Sequence, residues 1–186
     1  MKTAGRKYWL GLPLFLLLLA TQPARAGVML DASAFMYFSS KSVASESRMF
    51  NELFIGAPIG NSFFVGWNIL LNSRNDKDGS TTKESALELG PKIGVILGKR
   101  RAFNMALVFN PYLAASQTTD AKYSLSGLSY MFEVAYTVEV TSKFFLGPKL
   151  VFHGVSYSKR ELNNVTESMS YSRTTILPMV CAQLRF

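Results

Sequence analysis

Eleven ionisable residues of this chain sit inside short segments that alternate polar and apolar, and their types raise the question of chemistry. They are Asp31, Glu52, Glu84, Glu88, Lys92, Glu133, Glu139, Lys149, His153, Arg173 and Arg185. Carboxylates among lysines could carry protons in general acid–base catalysis. They could instead line a polar pore, or neutralise one another as a buried ionic network. His153 is the only histidine. A nucleophilic relay needs a serine within hydrogen-bond reach of the imidazole and a carboxylate behind it. Ser156 and Ser158 are close in sequence. In a strand, however, the residue sharing the face of His153 is Val155, while Ser156 points the other way. His153 is therefore read as a satisfied interior histidine and as a weak catalytic candidate. The single Cys181 excludes an intramolecular disulfide and a cysteine-based metal site. No metal and no cofactor is expected.

The elements that must position these side chains are strands. From Tyr171 to the C-terminus, every second residue back from Phe186 is apolar: Leu184, Ala182, Val180, Pro178 and Ile176. The interleaved set, Arg185, Gln183, Cys181, Met179, Leu177 and Thr175, is mixed. Period two marks a strand with unlike faces. The same pattern recurs seven times upstream. In the fourth segment Leu87, Leu89, Pro91, Ile93, Val95 and Leu97 face Glu84, Ala86, Glu88, Gly90, Lys92 and Gly94. In the fifth, Phe103, Met105, Leu107, Phe109, Pro111 and Leu113 are expected outward, against Asn104, Asn110 and Tyr112. In the sixth, Tyr130, Phe132, Val134, Tyr136 and Val138 oppose Ser129, Met131, Glu133, Ala135, Thr137 and Glu139. One face of nearly every segment is uniformly apolar, and the other carries the charges. A soluble barrel should show the reverse, with its apolar set enclosed. The pattern predicts side chains that meet lipid.

Residues 1–26 read as a cleaved signal peptide: Lys2, Arg6 and Lys7, then an apolar run, then Ala24-Arg25-Ala26. The domain proper is expected over 27–186. Of 20 basic residues, four lie in the leader. That leaves 16 against 12 acidic residues, a net charge of +4 rather than +8. No basic cluster is interleaved with stacking aromatics, so nucleic acid is not an expected partner. Past residue 26, no apolar run is long enough for a membrane helix. Connections alternate in length: Ser40–Ser47, Arg74–Thr82, Ser116–Ser126 and Lys159–Ser170 are long and polar, and those between them are short turns, including Lys99-Arg100-Arg101.

With its leader, eight alternating segments and terminal aromatic, the chain resembles the small eight-stranded outer-membrane β-barrels of Gram-negative bacteria, the class of the OmpA transmembrane domain and the OmpX/Ail proteins. The resemblance implies an all-β fold, a single eight-stranded antiparallel transmembrane barrel, in the outer membrane. It implies contact with outer-membrane lipids and lipopolysaccharide. It also implies assembly by the barrel-insertion machinery, which would read Leu184 and Phe186. The long connections would be extracellular, and short turns would face the periplasm.

Eight strands enclose only enough room for side chains, so the eleven ionisable residues are expected to plug the lumen. The function expected is a non-enzymatic structural or surface-interaction role, with any extracellular ligand met by the loops. A lipid A-modifying enzyme using His153, a small channel, and a soluble β-protein binding an apolar ligand remain alternatives. Pro91, Pro111, Pro148 and Pro178 lie inside strands and remove ladder donors. They predict bulges or a weakened seam, similar to the proline-interrupted strands of lipid A acyltransferases.

Overall fold

The structure, a computed structural model, describes residues 27–40, 44–60, 62–78, 80–98 and 102–186. The leader and the Lys99–Arg101 turn lie outside the described residues. Among the described residues nine strands follow in chain order: β1 (Met29–Ser40), β2 (Ala44–Ile59), β3 (Phe63–Asp78), β4 (Ser80–Leu97), β5 (Phe103–Thr118), β6 (Lys122–Tyr136), β7 (Val138–Glu139), β8 (Phe144–Leu162) and β9 (Val165–Arg185). Each pairs antiparallel with its neighbour, β1 pairs with β9, and β6 pairs with β8. The sheet is thereby closed. The two-residue β7 merely prolongs β6 past Thr137 and pairs with β8. The wall is an eight-stave barrel, as the alternation requires.

Its polarity is inside out. Trp67, Val180, Ile176 and Leu107 are each more than half exposed, whereas Glu88, Asn68 and Asn110 are wholly buried. Leu87 and Leu97 bound the apolar face of β4, ten residue steps apart. At about 3.3 Å per residue and a tilt of about 40°, those steps cover about 25 Å of height, the thickness of a barrel's lipid-facing band. Phe63, Tyr136 and Phe186 stand exposed at the short-turn end, where both ends of the barrel domain also lie.

Three expectations need correction. The long connections are largely strand: among the described residues the strands continue into them. β8 and β9 run to Leu162 and Val165 and close on Asn163-Asn164. Both asparagines have positive φ, 50° and 66°, the backbone of a two-residue hairpin turn whose twist matches the strands. Likewise β3 and β4 pair up to Asp78 and Ser80, and β5 and β6 up to Thr118 and Lys122. Polar composition marked the end of the lipid band, not the end of the sheet.

The fifth segment changes face. Tyr112 is exposed and Leu113 buried, because the pairing slips by one residue between Asn110 and Leu113. The bulge sits at Pro111, opposite Gly90 and Pro91. A proline cannot complete the ladder there, and one extra residue reverses the alternation.

Glu139 does not reach the interior. It lies exposed on β7 beside Val138, because the chain has passed the rim where Thr137 interrupts the strand. In the interior, apolar layers alternate with the charged ones.

The β1–β9 seam is incomplete. It is paired only from Met29/Arg185 to Ala34/Val180, although β1 stays paired with β2 up to Ser40. The direction of the donors explains this. Arg185 donates its backbone N–H to Lys143 on the β8 side, and Phe186 donates to Val28 on the β1 side. Alternation along an antiparallel strand then aims the position of the missing Pro178 N–H at β1, just beyond the last pair. Pro178→Val is expected to extend the ladder and raise the denaturation midpoint by the worth of about one hydrogen bond, roughly 1 kcal/mol. Amide exchange of Met36 and Phe38 checks it; unchanged exchange would mean that the proline does not limit the seam.

Candidate functional site

The lumen is built in layers by residues two apart on each strand. Nearest the short-turn end, Met29, Phe54, Phe64, Ile96 and Ala106 form an apolar floor. At the rim beside it, Arg185 donates to Asn104 Oδ1 (3.1 Å) and lies over the Phe145 ring.

Above the floor is an ionic layer. Lys92 Nζ donates to Glu52 Oε1 (2.7 Å) and Glu133 Oε2 (2.6 Å). Lys149 Nζ donates to both Asp31 oxygens (3.1 Å each) and to Glu52 Oε2 (2.9 Å), and lies 3.3 Å from Glu133 Oε2. All five side chains are at least nine-tenths buried. Three carboxylates share two ammonium groups. Ser33 Oγ and Gln183 Nε2 complete Asp31, each at 2.7 Å. Isolated buried charges are costly, and only mutual pairing makes such a set tolerable.

A second apolar layer, including Phe50, Leu70, Val108, Met131, Leu177 and Met179, caps these charges. Beyond it lies a smaller polar group. His153 Nε2 is 2.8 Å from Glu88 Oε2. Ser129 Oγ donates to the same carboxylate oxygen, and Asn110 Nδ2 donates to Ser129 Oγ (2.9 Å). A third apolar layer, with Leu113, Leu125, Val155 and Tyr157, covers that group. At the extended end Glu84 accepts from Tyr157 (2.8 Å) and twice from Arg173 (3.0 and 3.2 Å).

Ten of the eleven ionisable residues singled out above thus face inward, and Glu139 is the exception. They form three clusters rather than one network: five at the ionic layer with Arg185 joined to them from the rim through Gln183, then Glu88 with His153, and Glu84 with Arg173. Asn68, Asn110, Ser129, Gln183 and Tyr157 belong to the same interior but are uncharged. Period two alone places Asn68, Asn110, Ser129 and Gln183 there.

The geometry limits the chemistry. Serine, histidine and carboxylate do meet, but in the wrong order: Glu88 lies between Ser129 and His153, so the imidazole cannot take the serine's proton. Val155 faces inward beside His153, and Ser156 does not. The gap among Asp31, Lys92, Glu133, Lys149 and Gln183 is about 10 Å³, at most about one water. Among the described residues, no group of three or more histidine, cysteine or acidic side chains is suited to hold a metal. Cys181 is buried, 3.3 Å from the Gly147 carbonyl.

Three of the hollows among the described residues are larger. Two are lipid-side grooves, one of about 450 Å³ around Phe63, Ile93 and Leu107, the other of about 440 Å³ around Ala32, Ala34 and Ala182. The first is lined by apolar residues and Gly94, whereas Ser33 and Glu52 of the ionic layer contribute to the wall of the second. The third, about 310 Å³, opens at the extended end around Arg74, Gln117 and Tyr171.

The sequence matches no protein-family model, and no curated protein matches it. Solved structures do match. Neisserial surface protein A is 13% identical with a TM-score of 0.51, over 86% of this chain and 97% of that one. The beta domain of the Bordetella autotransporter BrkA is 10% identical with a TM-score of 0.49, over 88% and 99%. At such identity the first likeness speaks for the fold, which is that of the small outer-membrane β-barrels.

Proposed function

We propose that this barrel is a non-enzymatic surface protein of a Gram-negative outer membrane, exported by a cleaved leader at residues 1–26, with a sealed lumen and an interaction role at its extended extracellular end. The observation that carries the reading is the inverted polarity. The outward band is apolar over about 25 Å of height, and the five-charge layer closes the cylinder behind it. Both ends of the barrel domain then face the periplasm, as for a barrel whose longer connections are extracellular. The partners in this reading are outer-membrane lipids and lipopolysaccharide, the insertion machinery reading Leu184 and Phe186, and a ligand at the outer hairpins.

The barrel is expected to stay in detergent-washed outer membranes and to change mobility on unboiled gels. Planar bilayers holding it should show no discrete conductance steps. A protein found in the soluble fraction, without the mobility shift, would end the membrane reading. Regular steps altered by Lys149→Gln would replace the sealed lumen with a channel.

A further inference from the structure

We propose that the hollow at the extended end binds a neutral sugar. The inference rests on that end being extracellular, as proposed above. Its floor is the third apolar layer, so the hollow is a closed cup and not the mouth of a pore. The volume of about 310 Å³ is that of a small ligand pocket.

The charge of the wall selects the ligand. Arg74 is paired with Asp76, and Arg173 with Glu84. Each charge has its opposite beside it, so neither a cation nor an anion is attracted as such. The wall still offers hydrogen-bonding groups. Arg74 and Asp76 line the hollow, although Arg74 Nε and Asp76 Oδ1 are themselves closed off from solvent. The Gln117 amide and the Thr82 hydroxyl line the same hollow and bond to no described residue. That set mixes donors and acceptors, which suits a ring of hydroxyl groups, each both donor and acceptor.

One side of the cup is aromatic. Tyr157 and Tyr171 lie parallel, 6.1 Å apart with an 11° interplanar angle. Tyr157 is buried and held by Glu84, while Tyr171 is about half exposed. Met169 and Leu125 extend the apolar surface. A flat apolar face beside planar polar groups fits a pyranose, whose C–H face is apolar and whose edge is hydroxylated. A purely apolar ligand would leave the polar groups unmet. The sugar could be a free glycan or part of the lipopolysaccharide of the same membrane.

The test uses the full barrel in detergent, with saturation-transfer NMR to maltose, galactose and N-acetylglucosamine, and with glucuronate and glucosamine as charged comparisons. Transfer to at least one neutral sugar, exceeding that to the charged ones, is expected. Gln117→Ala and Tyr171→Ala should each weaken it about tenfold, the scale of losing one good contact, and Thr174→Ala on the outer face should not. In nanodiscs containing lipopolysaccharide, loss of the signal by competition identifies the membrane's own sugar as occupant; an undiminished signal identifies a free glycan. No transfer to any neutral sugar, or transfer indifferent to both variants, overturns the proposal. If the unboiled gel shift persists in that case, the barrel reading stands and only the sugar site falls.

Discussion

Lys149→Met should lower the unfolding free energy of the barrel by about 3–5 kcal/mol, the cost of removing one partner from a buried ion pair. Lys149 touches three carboxylates, Asp31, Glu52 and Glu133, at 2.9 to 3.3 Å. Without it, three acids face Lys92 alone, in a layer capped above and below by apolar side chains. Methionine keeps most of the volume, so the loss is one of charge rather than packing. The readout is a urea titration in detergent, followed by the mobility of the folded form. Lys159→Met, on an exposed stretch, should leave the midpoint unchanged. Adding Asp31→Asn to Lys149→Met should restore part of the loss, because the two sites share one network. An unshifted midpoint for the single variant would mean that the five charges do not depend on one another. Salt should matter little, since ions screen buried pairs far less than exposed ones.

Gly90→Val should abolish the folded barrel. A Cβ at Gly90 would lie 2.0 Å from the Phe109 carbonyl oxygen and 2.6 Å from the Asn110 Cα. Both are backbone atoms at the bulge, so no side-chain rotation relieves the clash. The bulge is already fixed by Pro111 on one strand and Pro91 on the other, which leaves β4 and β5 little freedom to separate. The expected outcome is loss of the heat-sensitive gel mobility and loss of protein from the membrane fraction. Ser85→Val, on the outward face of the same strand, tests whether a β-branched residue on β4 is tolerated. If Gly90→Val folds with an unaltered midpoint, the close approach of the two strands is not required.

Most of the barrel's plan was legible from residue types. The apolar face of β4, from Leu87 to Leu97, and the charges behind it follow from period two. So does the inward placement of Glu52, Glu88, Lys92, Glu133, Lys149 and His153. Three features were not legible. The bulge at Pro111 turned Tyr112 outward and Leu113 inward; a proline announces a fault in the ladder, but not on which side the extra residue falls. The hairpin tips were hidden by their polar composition. Asn163-Asn164 marks a two-residue turn only once the strands on either side are known to pair. The fate of Glu139 depended on where the rim lies, and strand periodicity carries no information about height.

The sequence by itself determined the class: a chain with polar and charged residues on one face of most strands and hydrocarbon on the other can bury its ionisable groups only by closing into a cylinder surrounded by lipid. Tertiary structure decided which charge met which. Lys149 is distant in sequence from Asp31, Glu52 and Glu133, and only the shear of the closed sheet brings them to one height. That same closure placed Glu88 between Ser129 and His153, so three residue types of a hydrolytic relay became an ordinary buried cluster. Alternation chooses the face of a residue; only the stagger between strands chooses its neighbours.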